Sequence, residues 1–224
     1  MRHDELIIVF TKPAEPGRVK TGLLPILTRD EAAEFHLAAL ADTLAAAKRT
    51  LRGPVELHVA GDKHDVAELR ALHPGHAVRQ QSGGDLGDRL IHAFAESFAR
   101  GVQRALVLGS DHPTLPPTYI ADALQQLEDA DVVIGPARDG GHYAVAIRRT
   151  SWPEARVIFR RIPWSTSAVL RTSLERAHLV GLEVVLMPDW YDIDSPDDLQ
   201  ALRGDAPAGS SCARFLREVD RRRS

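Results

Sequence analysis

Cysteine is almost absent from this chain. Cys212 stands alone among 224 residues, which excludes an intrachain disulfide and any cysteine-based zinc cluster. No apolar run nears the roughly 20 residues of a membrane-spanning helix. The N-terminus shows no signal-peptide apolar core. A soluble, cytoplasmic protein without a membrane partner is therefore expected. Excess charge is missing as well: the formal net charge of −3 offers no broad basic face, and no nucleic-acid partner is expected. Several reaction types lack their parts. There is no H-E-x-x-H, no G-x-S-x-G, no Walker A loop and no G-x-G-x-x-G fingerprint.

What remains is ordinary globular material, 44% hydrophobic and 26% charged, of a length that suits one large α/β domain. Apolar runs alternate with helical stretches. Glu5–Phe10, Val55–Ala60, Ala77–Gln81, Ala105–Leu108, Asp131–Ile134, Tyr143–Ile147 and Glu183–Met187 read as strands. Helices are expected over Asp30–Leu51 (capped by Thr28 or Asp30), His64–Leu72, Asp85–Ala99, Pro116–Leu127, Thr166–Ala177 and Ser195–Leu202. This alternation argues for a single α/β domain with a mostly parallel central sheet and helices on both faces. The expected division is one α/β domain over residues 1–204 and a C-terminal tail over residues 205–224, a loop followed by a short helix. The Arg221–Arg223 stretch of that tail reads as solvated.

The most informative segment is Phe10–Leu24, FTKPAEPGRVKTGLL. A buried strand opens into a stiff basic loop. Pro13 and Pro16 restrict the backbone, Gly17 permits a positive φ or a close ligand, and Lys12, Arg18 and Lys20 offer cations to phosphates near the strand's carboxyl end. Asp111 follows the strand at Ala105–Leu108, where an open α/β sheet holds its ligand, and a carboxylate there suits Mg²⁺ or Mn²⁺. Asp192 and Asp194 alternate, so an extended chain projects both to one face. Two such carboxylates repel unless a cation compensates. Asp197 and Asp198 fit the first turn of the following helix instead. Gly83, Gly84, Asp85, Asp88 and Arg89 form a glycine turn opening a helix, with Arg89 able to reach a phosphate. Asp139-Gly140-Gly141-His142-Tyr143 allows an acceptor to approach the backbone, with Asp139 or His142 to take a proton. Trp164, Ser165 and Thr166 offer an aromatic wall and hydroxyls. His58, His64, His73 and His76 read as surface or loop positions.

Taken in order, these segments resemble a family of small GT-A-type transferases. Its members are often named glycosyltransferases of arsenosugar biosynthesis, and they sit close to the 2-phospho-lactate guanylyltransferases. The resemblance covers roughly Leu6 to Leu202. It implies a GT-A-like, nucleotide-diphospho-sugar transferase fold and a metal-dependent reaction with Mg²⁺ or Mn²⁺. The partners it implies are a nucleotide or nucleotide-sugar and a small-molecule acceptor. Asp111, Asp139 and Lys20 are the expected catalytic residues. Lys12, Pro16, Gly17, Arg18, Lys20, Gly84, Asp85 and Arg89 are expected to hold nucleotide and phosphate. Asp111 and Asp194, with Asp192 second, are expected to hold the metal, and Gly140, Gly141, His142, Trp164 and Ser165 the acceptor. Sugar transfer from an NDP-sugar leads; nucleotidyl transfer from an NTP to a phosphorylated or acidic molecule is the alternative, and nucleotide binding without turnover the third reading.

One position departs from the family. Its first loop reads K-T-R-L, whereas this chain has Lys20-Thr21-Gly22-Leu23. Gly22 thus reads as a lost phosphate contact. Gly22→Arg is expected to tighten nucleotide binding unless Gly22 has a positive φ. Lys20 is expected to be an exposed loop lysine whose removal leaves the fold intact.

Overall fold

The computed structural model describes residues 4–223, so the first three residues and the last one of the expected division lie outside it. Seven strands form one sheet, in the order β3-β2-β1-β4-β6-β5-β7. They are β1 (Glu5–Thr11), β2 (Val55–Val59), β3 (Ala77–Gln80), β4 (Arg104–Gly109), β5 (Val132–Pro136), β6 (His142–Arg148) and β7 (Val184–Leu186). All are parallel except β6, which pairs antiparallel with both β4 and β5. The reversal follows from the short Ala137–Gly141 turn that makes β5 and β6 a hairpin. Gly140 has φ +91, and a side chain there would overlap the Ser167 carbonyl.

Among the described residues, eight α-helices complete the fold: α1 (Arg29–Arg49), α2 (Lys63–Leu72), α3 (Leu86–Ala99), α4 (Pro117–Gln126), α5 (Trp152–Ala155), α6 (Val169–Leu179), α7 (Pro196–Asp205) and α8 (Ser211–Arg223). None of the described helices is long and apolar enough to cross a membrane. Strand β1 shows why two helical layers are needed. All seven of its residues are buried. Ile7 and Val9 enter one core with Leu40, Leu44, Leu57 and Leu124. Leu6, Ile8 and Phe10 enter the other with Phe94, Phe98 and Phe159. Period-two alternation sends successive side chains to opposite faces.

After α7 the described chain runs through a loop into α8. The 13-residue α8 packs on α1 and buries Cys212, Phe215, Leu216 and Val219 in a third core with Phe35 and Leu199. The Asp42 carboxylate accepts the Ser211 and Cys212 N–H groups, capping α8 from α1. The terminal arginines do not simply trail in water: Arg222 pairs with Glu34 and Arg223 with Glu31.

His58 corrects the surface reading of the histidines. It is buried in β2 beside Glu56, to which its Nε2 bonds at 3.1 Å. Glu56 also accepts from Arg79 and, through both oxygens, from Arg100. Burial pushes its carboxyl up, but the hydrogen bonds from His58 and Arg100 and the charges of Arg100 and Arg79 outweigh it and hold the pKa at about 2. A depressed carboxylate contributes stability above its unfolded pKa, and that contribution is lost as pH falls through the folded value. Glu56→Gln should therefore cost about 2 kcal/mol at pH 7, after discounting for the half-exposed arginines. The deficit against the native protein should shrink between about pH 4.5 and 2, as urea melts across that range would show.

Candidate active site

The carboxyl ends of β1 and β4 lie side by side at the point where the chain, having run outward to β2 and β3, returns to the other side of β1. Such a reversal opens a crevice above the sheet. Here it is a cleft of about 570 Å³ whose charged and polar lining includes Lys12, Arg18, Lys20, His36, Gln81, Arg89, Asp111 and Asp194.

Lys20 is its centre. Val19, Leu23 and Leu27 are buried beneath the first loop, and Lys20 sits between them in the left-handed region, φ 48 and ψ 40. That conformation turns its side chain inward, where it is 2% exposed. Its Nζ lies 2.5 Å from Asp111 Oδ1 and 3.0 Å from Asp194 Oδ1, and donates to the Ile193 carbonyl at 2.9 Å. The expectation of an exposed lysine is overturned: the residue is a buried ion-pair hub. Burial pushes its pKa down, but the two carboxylates raise it further than burial lowers it, so it stays charged. Burial pushes Asp111 up, yet the Lys20 ammonium holds it at about 2, so it stays ionised.

Asp111 and Asp194, 83 positions apart, thus meet on one ammonium. Asp192 divides from Asp194: it lines a neighbouring pocket while its carboxyl remains in hydrogen-bond contact with Asp194. Burial first, then that contact, pushes Asp192 up to about 6. Ser195 caps α7 in a reciprocal pair with Asp198, the capping role expected for that aspartate. The oxygen-only donor set of Asp111, Asp194 and Asp192 fits a hard divalent cation, and crowding of Asp192 against Asp194 is what such a cation relieves. It is not a closed cage. Among the described residues, three ligand atoms come within 4.8 Å of one another only at His64, Asp65 and Glu68 on the outside of α2.

Gly22 has a different explanation from a lost contact. Its φ is not positive, but a Cβ there would overlap the Asp194 carbonyl oxygen. The missing side chain lets the first loop press against the Ile193–Asp194 turn, and that approach brings Lys20 to both carbonyl and carboxylate.

The other expected phosphate residues scatter. Lys12 and Arg18 stand at the rim, with Arg18 paired to Glu15 at 2.8 Å. Arg89 lines the cleft from α3. Pro16, Gly17, Gly84 and Asp85 lie outside its lining: Gly17, φ +79, packs on the Arg29 side chain, and Asp85 caps α3 by accepting the Asp88 N–H. Two histidines were passed over. His36 Nε2 lies 3.0 Å from Thr11 Oγ1 and 3.1 Å from the Lys12 carbonyl, fixing the first step of the basic loop. His112 Nδ1 donates to the Tyr191 carbonyl at 3.0 Å and ties the end of β4 to the late aspartate turn. A polar residue on the buried face of α1 was the available signal for His36; nothing local marks His112.

The residues expected at the acceptor come together in a second pocket of about 180 Å³ that shares Asp111 and Leu86 with the cleft. Asp139, Gly141, His142, Trp164 and Ser165 line it, and Gly140 holds the turn behind. The Asp139 side chain accepts the Gly141 N–H at 2.8 Å. Phe94 stacks on Phe159 at 5.7 Å, anchoring the segment that delivers Trp164. Burial pushes His142 down to about 4, leaving it neutral at physiological pH.

The sheet order, the basic cleft and the adjoining pocket place this chain in the class of nucleotidyl- and glycosyltransferase-like proteins. Comparison with known proteins makes the kinship specific. The chain belongs to the family described as "uncharacterized protein conserved in bacteria (DUF2064)", which matches residues 43–166. A crystal structure from Desulfovibrio desulfuricans G20, provisionally named a nucleotide-diphospho-sugar transferase, is 34% identical, with 97% of this chain and 96% of that one covered and a TM-score of 0.89. The 2-phospho-L-lactate guanylyltransferase of Methanopyrus kandleri is 36% identical over 93 residues, 40% of this chain. That match spans 45% of the guanylyltransferase, under half its length. The CMP:2-keto-3-deoxy-manno-octonic acid synthetase, solved with CTP, shares the fold at a TM-score of 0.57 and 15% identity, covering 89% of this chain and 97% of that one.

Proposed function

We propose that this protein transfers a sugar from a nucleoside-diphosphate sugar, held in the basic cleft, to a small acceptor in the adjoining pocket. The observation that carries the reading is the Lys20–Asp111–Asp194 cluster in the larger cleft, whose Asp111 also lines the smaller pocket. Lys20 is fixed, charged and buried where a diphosphate leaving group would gain negative charge, and preorganised charge aimed at such a group stabilises it. Lys12, Arg18 and Arg89 add cations along the phosphates. Asp111 and Asp194, with Asp192 beside them, would hold Mg²⁺ or Mn²⁺. Bound there, the metal would neutralise the departing diphosphate as a Lewis acid. Asp139, which lines the smaller pocket and accepts the Gly141 N–H, would receive the acceptor's hydroxyl proton.

Nucleotidyl transfer from an NTP is the second reading, favoured by the partial likeness to a guanylyltransferase. The products separate the two. With Mg²⁺ or Mn²⁺, a panel of NDP-sugars and NTPs is incubated with candidate acceptors. Accumulating nucleoside diphosphate supports the sugar transfer; pyrophosphate release supports the alternative; calorimetric binding with neither product reduces the protein to a nucleotide-binding module. Asp111→Asn should weaken metal-dependent nucleotide binding by tenfold or more, roughly the loss of one charge-assisted contact.

A further inference from the structure

The two adjoining spaces differ in the sign and type of their polar lining. The larger cleft carries Lys12, Arg18, Lys20 and Arg89. Among the described residues, the smaller pocket has no lysine or arginine in its lining, and its charged side chains are Asp111, Asp139 and Asp192. Arg160 and Arg161, close in sequence to Trp164, line neither space. The pocket's imidazoles add further acceptors. His112 spends its Nδ1–H on the Tyr191 carbonyl, which leaves a lone pair on Nε2. His142 is the pocket's other imidazole. Its Nε2 is buried and has no partner among the described residues. A buried ring nitrogen without a partner is costly until something supplies one.

From this we infer that the acceptor substrate is a small, hydroxyl-bearing molecule without negative charge, and that the pocket selects against phosphorylated and carboxylated acceptors. The inference rests on the proposed function for the pocket's role and deepens it by naming the substrate class. A hydroxyl group donates as well as accepts, so a polyol can give hydrogen bonds to the carboxylates and to His142 Nε2. It can accept one from the Trp164 indole N–H, which is also buried and without a partner. A phosphate brings only further acceptors, and charge of the wrong sign to Asp139, the one carboxylate of this lining that neither Lys20 nor the proposed metal takes up. The volume of about 180 Å³ holds the equivalent of about six waters, enough for a polyol fragment or one sugar ring. His142 and Trp164 meet edge to face, with centroids 5.8 Å apart and planes at 89°, so the two walls adjoin.

The test uses matched probes: glycerol with glycerol 3-phosphate, and ribose with ribose 5-phosphate. The basic cleft is first saturated with inorganic pyrophosphate, so that an anionic probe cannot report from there. The three tryptophans give three indole N–H resonances, and Trp164→Phe assigns the relevant one. The neutral member of each pair should shift the Trp164 signal and bind at least tenfold more tightly than its phosphorylated partner. Asp139→Asn keeps the oxygen that accepts the Gly141 N–H and should reduce that discrimination severalfold. Equal or tighter binding of the phosphorylated probes at this signal overturns the inference, as does no response to any probe up to high millimolar concentration. Titration calorimetry with pyrophosphate alone reports separately on the basic cleft: its failure counts against the proposed function, not against the acceptor's chemistry.

Discussion

Lys20→Ala should lower transferase turnover by about two to three orders of magnitude, the scale seen when one preorganised electrostatic donor is removed. The effect is large because no neighbour can replace the group. Arg18 is at the rim and paired with Glu15, Lys12 is exposed, and Arg89 approaches from α3. Removing the ammonium also leaves Asp111 and Asp194 facing each other without a countercharge. In a sealed interior the loss of one partner would cost 3–5 kcal/mol. Here the Asp111 and Asp194 side chains are 43% and 62% exposed, so water screens them and about 1–2 kcal/mol is expected. Freed from Lys20, the Asp111 carboxyl should titrate well above its native value of about 2. Product release assays, a thermal melt and a carbon-detected titration of Asp111 check the three parts. Unchanged turnover in a folded variant would remove Lys20 from the chemistry.

Gly22→Arg should fail to restore anything. It should lower stability by about 3 kcal/mol, at the upper end for overpacking, and weaken nucleotide binding. For a chain of this size that is roughly 6–12 °C in Tm. The added Cβ would run into the Asp194 carbonyl oxygen. That carbonyl cannot easily retreat. Ser195 and Asp198 cap α7 reciprocally, Ile193 is fully buried, and its carbonyl is held by Lys20. Moving the turn would pull Asp194 off Lys20, so the family's arginine would be gained at the expense of the ion-pair hub. Even Gly22→Ala should show most of the stability loss, because the clash begins at Cβ. A variant that melts with the native protein and binds nucleotide more tightly would revive the reading of Gly22 as a lost contact.

The apolar run of β1, the basic loop after it, Asp111 at the end of β4 and the glycine turn before β6 were all legible in the sequence. They follow from local rules: period-two burial, proline and glycine backbone limits, and the habit of open α/β sheets of binding ligands at strand ends. The alternation of strands and helices likewise specified the layered architecture. What the sequence could not say was which long-range partner each residue meets. Lys20 reads as a loop lysine until the Ile193–Asp194 turn, 173 positions away, closes over it. Gly22 reads as a deletion of function until the same turn is seen to occupy the space of its missing side chain. Asp192 and Asp194 share a face in an extended chain, yet the bend between β7 and α7 directs one to each pocket. His36 and His112 carry no local signature, because their roles lie in carbonyls supplied by other elements. Local chemistry set the elements and the inventory of reactive groups. Tertiary packing alone decided which of them became buried, paired and aimed at a common space, since burial and ion pairing depend on contacts the linear order does not contain.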